Sequence, residues 1–180
     1  MPAERPAVFF DRDGTLIHEV HYCANPSQVR AIDGASEVLM KLSDAGFALV
    51  IVTNQSGIGR GYFTREDYDR VHEEVLWQLQ PAKITATYYD ESTPDQPSTR
   101  RKPSIAMLEE AARDHGLDLT RSWMVGDKTS DIECGRNAGL RTVLVETGHG
   151  KDHPGCGADA VVPDIGCAAD FILQEAGCAT

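Results

Sequence analysis

The strongest constraint on the fold is an alternation along the chain. Short apolar runs stop abruptly at polar or acidic residues, and segments of helical periodicity separate them. Val8-Phe9-Phe10 ends in Asp11-Arg12-Asp13-Gly14-Thr15. Phe47 to Val52 ends in Thr53-Asn54-Gln55-Ser56-Gly57, and Trp123-Met124-Val125 ends in Gly126-Asp127-Lys128-Thr129-Ser130-Asp131. Runs that are apolar at consecutive positions suit strands buried on both faces. Strands alternating with helices, joined by right-handed crossovers, put the carboxyl ends of all strands on one edge. Ligands bind at that edge in open α/β sheets. The expected fold class is α/β: a three-layer, Rossmann-like parallel sheet with helices on both faces, forming a single domain over residues 1–180.

The remaining elements follow from local signals. Gly34 precedes an amphipathic helix with Val38, Leu39, Leu42 and Ala45 on one face and Gly46 as its stop. Thr64-Arg65-Glu66-Asp67 reads as a capped helix start, with Asp where a capping box usually has Glu. That helix runs through Tyr68, Val71, Val75, Leu76 and Leu79 to Pro81, and Ile84 to Tyr89 is a third strand. Pro103 suits the first turn of a helix reaching about His115, which would set Arg100, Arg101 and Lys102 at an anion-attracting helix N-terminus. Thr142 to Val145 and Ala160 to Val162 are further strands, and Ile165 to Glu175 closes the chain as a helix. Leu16 to Pro26, the glycine-rich stretch Gly57 to Gly61 and the polar Asp90 to Thr99 are expected to be loops.

Composition bounds the partners. With 41% hydrophobic and 25% charged residues, the chain has the make-up of an ordinary globular protein. No apolar run reaches the roughly 20 residues of a membrane span, and Met-Pro-Ala-Glu-Arg-Pro lacks the apolar core of a signal peptide. A net charge of −11 argues against nucleic acid or an anionic membrane as partner. Cys23, Cys134, Cys156, Cys167 and Cys178 form no C-x-x-C pair and suit free thiols in the cytoplasm. His149, His153 and Cys156 lie close together in sequence and leave a structural zinc open.

Two carboxylates two residues apart, Asp11 and Asp13, repel each other unless a cation or proton lies between them. Taken alone, Asp-x-Asp-Gly also suits a solvated turn. The parallel-sheet reading, however, delivers Asp11 and Asp13, Thr53 and Asn54, Arg101 and Lys102, and Asp127 to one edge. That set is what phosphoryl transfer through an aspartyl-phosphate requires. A carboxylate nucleophile and a phosphate dianion repel, so a divalent cation must bridge them, and carboxylate oxygens suit Mg²⁺. Lys102 adds charge stabilisation, Thr53 adds a hydrogen bond, and Asp13 can serve as acid and then base.

Asp11-Arg12-Asp13-Gly14-Thr15, Thr53-Asn54-Gln55, Lys102-Pro103 and Gly126-Asp127 with Asp131 resemble the four motifs of haloacid-dehalogenase-type phosphatases. Tyr22, the run from Thr53 to Thr64, Arg101-Lys102-Pro103 and Gly126-Asp127-Lys128 narrow the resemblance. It points to D-glycero-D-manno-heptose 1,7-bisphosphate 7-phosphatases and the related histidinol-phosphate phosphatases. The resemblance implies Asp11 as nucleophile and Asp13 as acid/base, with Mg²⁺ held by the Asp11 carboxylate, the Asp13 backbone carbonyl and Asp127. It also implies Lys102 against the phosphoryl group and a substrate site including Glu19, Tyr22, Asn54, Gln55, Ser56, Arg60, Arg101 and Lys128. Relatives often carry a zinc loop just before Arg-Lys-Pro. Asp90 to Thr99 holds neither Cys nor His, so zinc is not expected there, and Pro94 and Pro97 are candidates for stiffening the segment. The intervals from Asp13 to Thr53 and from Thr53 to Lys102 leave no room for a cap domain.

The expected activity is removal of the 7-phosphate of a heptose 1,7-bisphosphate, a small phosphorylated sugar, by a monomer. Histidinol-phosphate hydrolysis is the alternative, with Glu19 suited to the substrate's amine. A non-catalytic phosphate-binding protein and a DNA 3′-phosphatase are the other readings. His21 and His149 are expected to be ordinary surface residues, and Cys134 a small core residue.

Overall fold

In a computed structural model that describes residues 4–177, the apolar runs become β1 (Ala7–Phe10), β2 (Ala48–Asn54), β3 (Ala86–Asp90), β4 (Trp123–Gly126), β5 (Arg141–Val145) and β6 (Ala160–Val162). The helices are α1 (Ala35–Asp44), α2 (Ser56–Gly59), α3 (Arg65–Gln78), α4 (Ala106–His115), α5 (Thr129–Asn137) and α6 (Ile165–Glu175). Cys178 lies outside the described residues. The strands form one sheet in the order β3-β2-β1-β4-β5-β6, and every adjacent pair is parallel. The order reverses between β1 and β4, so the crevice at their carboxyl ends is the place for a ligand.

Successive residues of a strand point to opposite faces. Val8 and Phe10 join Leu39 and Leu42 of α1, Val71 and Val75 of α3, and Ile172 of α6 in one apolar cluster. Ala7 and Phe9 join Met107 and Ala111 of α4 and Cys134 of α5 in the other. This double burial is why the strands are apolar at consecutive positions, and it produces the expected three layers. Phe10 pairs with Ile51 on one side and Val125 on the other, so Asp11 leaves the sheet at the level where β2 and β4 also end their apolar runs. No helix among the described residues is long and apolar enough to cross a membrane.

The capping box at Thr64 is present: Asp67 N donates to Thr64 Oγ1 at 3.1 Å, and Thr64 N donates to Asp67 Oδ2 at 2.8 Å. Two local expectations need correction. Ser56–Gly59 is a turn of helix rather than a free loop, and a Cβ at Gly57 would overlap the Phe63 ring. Helix α4 begins at Ala106, not at Pro103. Ser104 N donates to Arg101 O (2.9 Å), closing a turn across Lys102 and Pro103 before the helix starts. The cations are therefore held by that turn and its neighbours, not by a helix N-terminus.

Candidate active site

Asp11, Asp127 and Asp131 bring carboxylate oxygens within 4.8 Å of one another, all three side chains buried. Lys102, 4% exposed, enters this cluster from the turn before α4. Its Nζ lies 2.8 Å from Asp11 Oδ1, 2.6 Å from Asp131 Oδ1 and 2.7 Å from Val52 O, which uses all three ammonium protons. Asn54 sets this lysine by its backbone. Lys102 N donates to Asn54 Oδ1 (3.0 Å), and Asn54 Nδ2 donates to Lys102 O (3.1 Å).

The charges settle unevenly. Burial opposes ionisation of Asp11, but Lys102 and Lys128 outweigh it and hold the carboxyl below its usual range. Burial, and then the Asp11 charge, push Asp127 up to about 8. Burial also raises Asp131, against the pull of Lys102. Burial thus works against a full charge on all three acids, and Lys102 and Lys128 supply the opposing pull.

Two features fit this cluster to a hard divalent cation. Asp127 Oδ1 is buried with no hydrogen-bond partner, while Oδ2 accepts from His149 N at 2.8 Å. Gly14 (φ +86°) and Gly148 (φ +58°) flank that carboxylate, and a Cβ on either would overlap it. An oxygen donor kept bare at the strand edge is what Mg²⁺ coordination needs. Asp131 is different. Its Oδ2 accepts from Lys128 N (3.0 Å) and its Oδ1 faces Lys102, so both oxygens are engaged in holding the two lysines.

The Asp13 side chain stands apart from that trio. Arg12, 1% exposed, donates from Nε to Asp13 Oδ2 (2.9 Å) and from Nη2 to Oδ1 (3.2 Å), and Gln55 Nε2 adds a bond to Oδ2 at 2.8 Å. The Arg12 guanidinium lies over the Tyr68 ring, 5.2 Å from its centroid. Gln55 also reaches Thr53 Oγ1 (2.8 Å), and Thr53 lines a small recess with Asp11, Lys102 and Lys128.

Beside this recess opens a cleft of about 290 Å³, lined by Asp13, Glu19, Tyr22, Asn54, Gln55, Ser56, Lys128 and His149 among others. Glu19 Oε2 lies 3.7 Å from Lys128 Nζ and 3.8 Å from His149 Nε2. Tyr22, at φ +54°, packs edge-on against His21 and Tyr62. Arg60 is exposed and Arg101 half-buried, and neither lines the cleft itself.

The structure thus brings Asp11, Asp13, Thr53, Lys102, Lys128 and Asp127 together. It gives Asn54 and Gln55 supporting contacts to Lys102 and Asp13 in addition to their place on the cleft wall. Asp131 as partner of Lys102 and Arg12 as partner of Asp13 carry no role in the sequence reading. Besides the place of Asp131 beside Gly126-Asp127 in the fourth motif, the hint is an acid at the third position of a helix start. His21 and His149, read as plain surface residues, both line the cleft, and His149 also binds Asp127 through its backbone. Cys134 is a core residue as expected, its thiol pushed up to about 12 by burial.

A family profile described as HAD-hydrolase-like matches residues 99–168. A D-glycero-D-manno-heptose-1,7-bisphosphate 7-phosphatase of Thermosynechococcus vestitus is 41% identical over 159 residues, covering 81% of this chain and 81% of that protein. The Chlorobaculum tepidum protein of the same name is 36% identical, covering 87% of this chain and 86% of its own length. Among solved structures, D,D-heptose 1,7-bisphosphate phosphatase from B. bronchiseptica, complexed with magnesium and phosphate, superposes with a TM-score of 0.87 at 28% identity. It covers 94% of this chain and 99% of that one. Identity at this level over most of both sequences, on the same sheet with acids at its switch point, has one explanation: the chain belongs to the heptose-bisphosphate phosphatase family of the haloacid-dehalogenase-like hydrolases.

Proposed function

We propose that this phosphatase removes the 7-phosphate of D-glycero-D-manno-heptose 1,7-bisphosphate by way of a phosphoryl group carried on Asp11. The supporting observation is the placement of Lys102 between Asp11 and Asp131 in the small recess beside the cleft. Lys102 takes Oδ1 of Asp11, leaving Oδ2 as the oxygen that attacks phosphorus. As the Asp11 O–P bond forms and the sugar O–P bond breaks, Lys102 and Thr53 contact the phosphoryl oxygens, and Asp13 gives its proton to the departing alcohol. Water then attacks the same phosphorus, Asp13 takes its proton, and the acyl-phosphate O–P bond breaks to restore Asp11. The Asp11 and Asp127 carboxylates and the Asp13 backbone carbonyl would hold Mg²⁺, which when bound neutralises the phosphate dianion that the carboxylate must approach. The reading includes a single-domain monomer working in the cytoplasm.

Histidinol phosphate fits less well, because Glu19, the acid suited to its amine, already faces Lys128 and His149. Phosphate release from the two compounds, with and without Mg²⁺, tests the choice. The heptose bisphosphate should be favoured by roughly 100-fold in kcat/KM, since a pocket built around polar partners rejects ligands that leave them unpaired. Equal, feeble rates on both would overturn the substrate assignment.

The raised Asp127 makes cation binding pH-dependent. Its carboxyl moves from the ordinary 3.8 to about 8 in the metal-free fold. The stability this contributes is fully present below pH 3.8 and is lost as pH rises through about 8. Mg²⁺ competes with that proton, so its apparent affinity should tighten by about tenfold per pH unit below pH 8. The rise in Tm on adding Mg²⁺ should accordingly be larger at about pH 8.5 than at about pH 6. A Tm increment independent of pH would contradict the ligand assignment.

Arg12→Lys keeps the charge beside Asp13 but loses the fork. The kcat/KM for alkyl phosphates, which reports the step in which the leaving group needs a proton, should fall by about tenfold. The kcat/KM for p-nitrophenyl phosphate should fall by less than about threefold, because its leaving group departs unprotonated. Equal losses on both would show that Arg12 does not act through the acid.

A further inference from the structure

Residues 90–101 hold their shape through one carboxylate. Pro94 and Pro97, expected to stiffen the segment, are exposed, whereas Asp90 is 8% exposed at the end of β3, where its carbonyl accepts from Gln55 N at 2.7 Å. Asp90 Oδ1 accepts from Ser92 N (2.9 Å) and from Ser92 Oγ, and Oδ2 accepts from Ser98 Oγ at 2.7 Å. Ser98 Oγ in turn accepts from both Arg100 N and Arg101 N, each at 3.1 Å. One hydroxyl thus spends its proton on Asp90 and both lone pairs on the chain leading into Arg101. Arg101 Nη1 donates to Ser92 O at 2.8 Å. The backbone and the guanidinium of Arg101 are therefore anchored on two residues that Asp90 holds.

The guanidinium so anchored is half-buried within electrostatic reach of Tyr22 and Arg60. Burial and Arg60 weigh against its charge, while Asp90 supports it. Asp90 is in reach of Arg101 and Asp95 of Arg60, and the two cations stand near a cleft-lining tyrosine, where a phosphate on the substrate would meet positive charge. Lys102, one residue on, is fixed independently by Asn54, Asp11 and Asp131.

We propose that Asp90 is a positioning residue for substrate recognition, presenting Arg101 to the second phosphate of a bisphosphate through Ser92 and Ser98 without setting the chemical step. This rests on the bisphosphate reading above.

The test is steady-state kinetics of Asp90→Asn, Ser98→Ala, Arg101→Ala and the Ser98→Ala/Arg101→Ala double variant. Heptose 1,7-bisphosphate is compared with heptose 7-phosphate, and circular dichroism checks folding. Ser98→Ala is the milder change should Asp90→Asn fail to fold. The expected result is a KM for the bisphosphate raised by about tenfold, the worth of one hydrogen bond to a charged group. For Asp90→Asn and Ser98→Ala kcat should stay within about twofold, with no change in KM for the monophosphate, and Ser98→Ala should add nothing once Arg101 is gone. KM factors that multiply in the double variant, or a kcat loss shared by both substrates, would overturn the positioning role while leaving the bisphosphate reading intact. An Arg101→Ala variant with unaltered KM for the bisphosphate would remove Arg101 from the substrate site and the proposal with it.

Discussion

Asp11→Asn is expected to lower turnover by at least about 10⁴-fold while the protein stays folded. The amide is nearly isosteric, and its oxygen can still accept from Lys102, which keeps Asp131 and Val52 O as partners. What is lost is the proposed nucleophile. Removing one negative charge from three neighbouring buried acids also relieves Asp127, whose upward shift owes part of its size to Asp11. The metal-free variant should therefore melt no lower than the parent by more than a few degrees. Phosphate release and a thermal melt measure the two effects, and residual turnover above about 1% would remove Asp11 from the nucleophile's role.

Lys102→Met should damage both stability and turnover. The ammonium is buried and uses every proton on Asp11, Asp131 and Val52 O, so its removal leaves two buried carboxylates without their cation. Breaking such a pair costs about 3–5 kcal/mol, which for a chain of this size lowers Tm by roughly 6–20 °C. Turnover should fall by at least about 10³-fold, since the charge proposed to face the phosphoryl oxygens is gone. The sign of the pH effect follows. Without Lys102 the Asp11 and Asp131 carboxyls gain protons more readily, so acid relieves the damage, and the Tm deficit should be smaller at about pH 5 than at about pH 8. A deficit that grows in acid, or a melt unchanged at both values, would contradict the buried ion cluster.

Much of the frame was legible because its signals are local. Consecutive apolar residues at Val8 to Phe10 and at Leu49 to Val52 require two covered faces, and the fold supplies them with helices on each side. Thr64 and Asp67 sit three residues apart, so their mutual cap is readable from spacing alone. Pro103 misled for a local reason too. A proline suits a first helical turn, but the Ser104 N to Arg101 O bond turns the chain before the helix begins. Asp90 escaped notice because its partners, Ser92 and Ser98, are common loop residues whose convergence depends on how the loop folds back.

The sequence by itself determined that acids, a hydroxyl and a lysine would meet at the edge of a parallel sheet, because strand direction and side-chain alternation are properties of the backbone. Only the tertiary structure decided what each carboxylate touches. Asp127 keeps Oδ1 bare while Oδ2 accepts from His149 N, Asp131 spends both of its oxygens on lysines, and Asp13 is gripped by Arg12 and Gln55. An aspartate's role is set by burial and by the donors within about 3 Å of it, and those donors come from residues far apart in the chain.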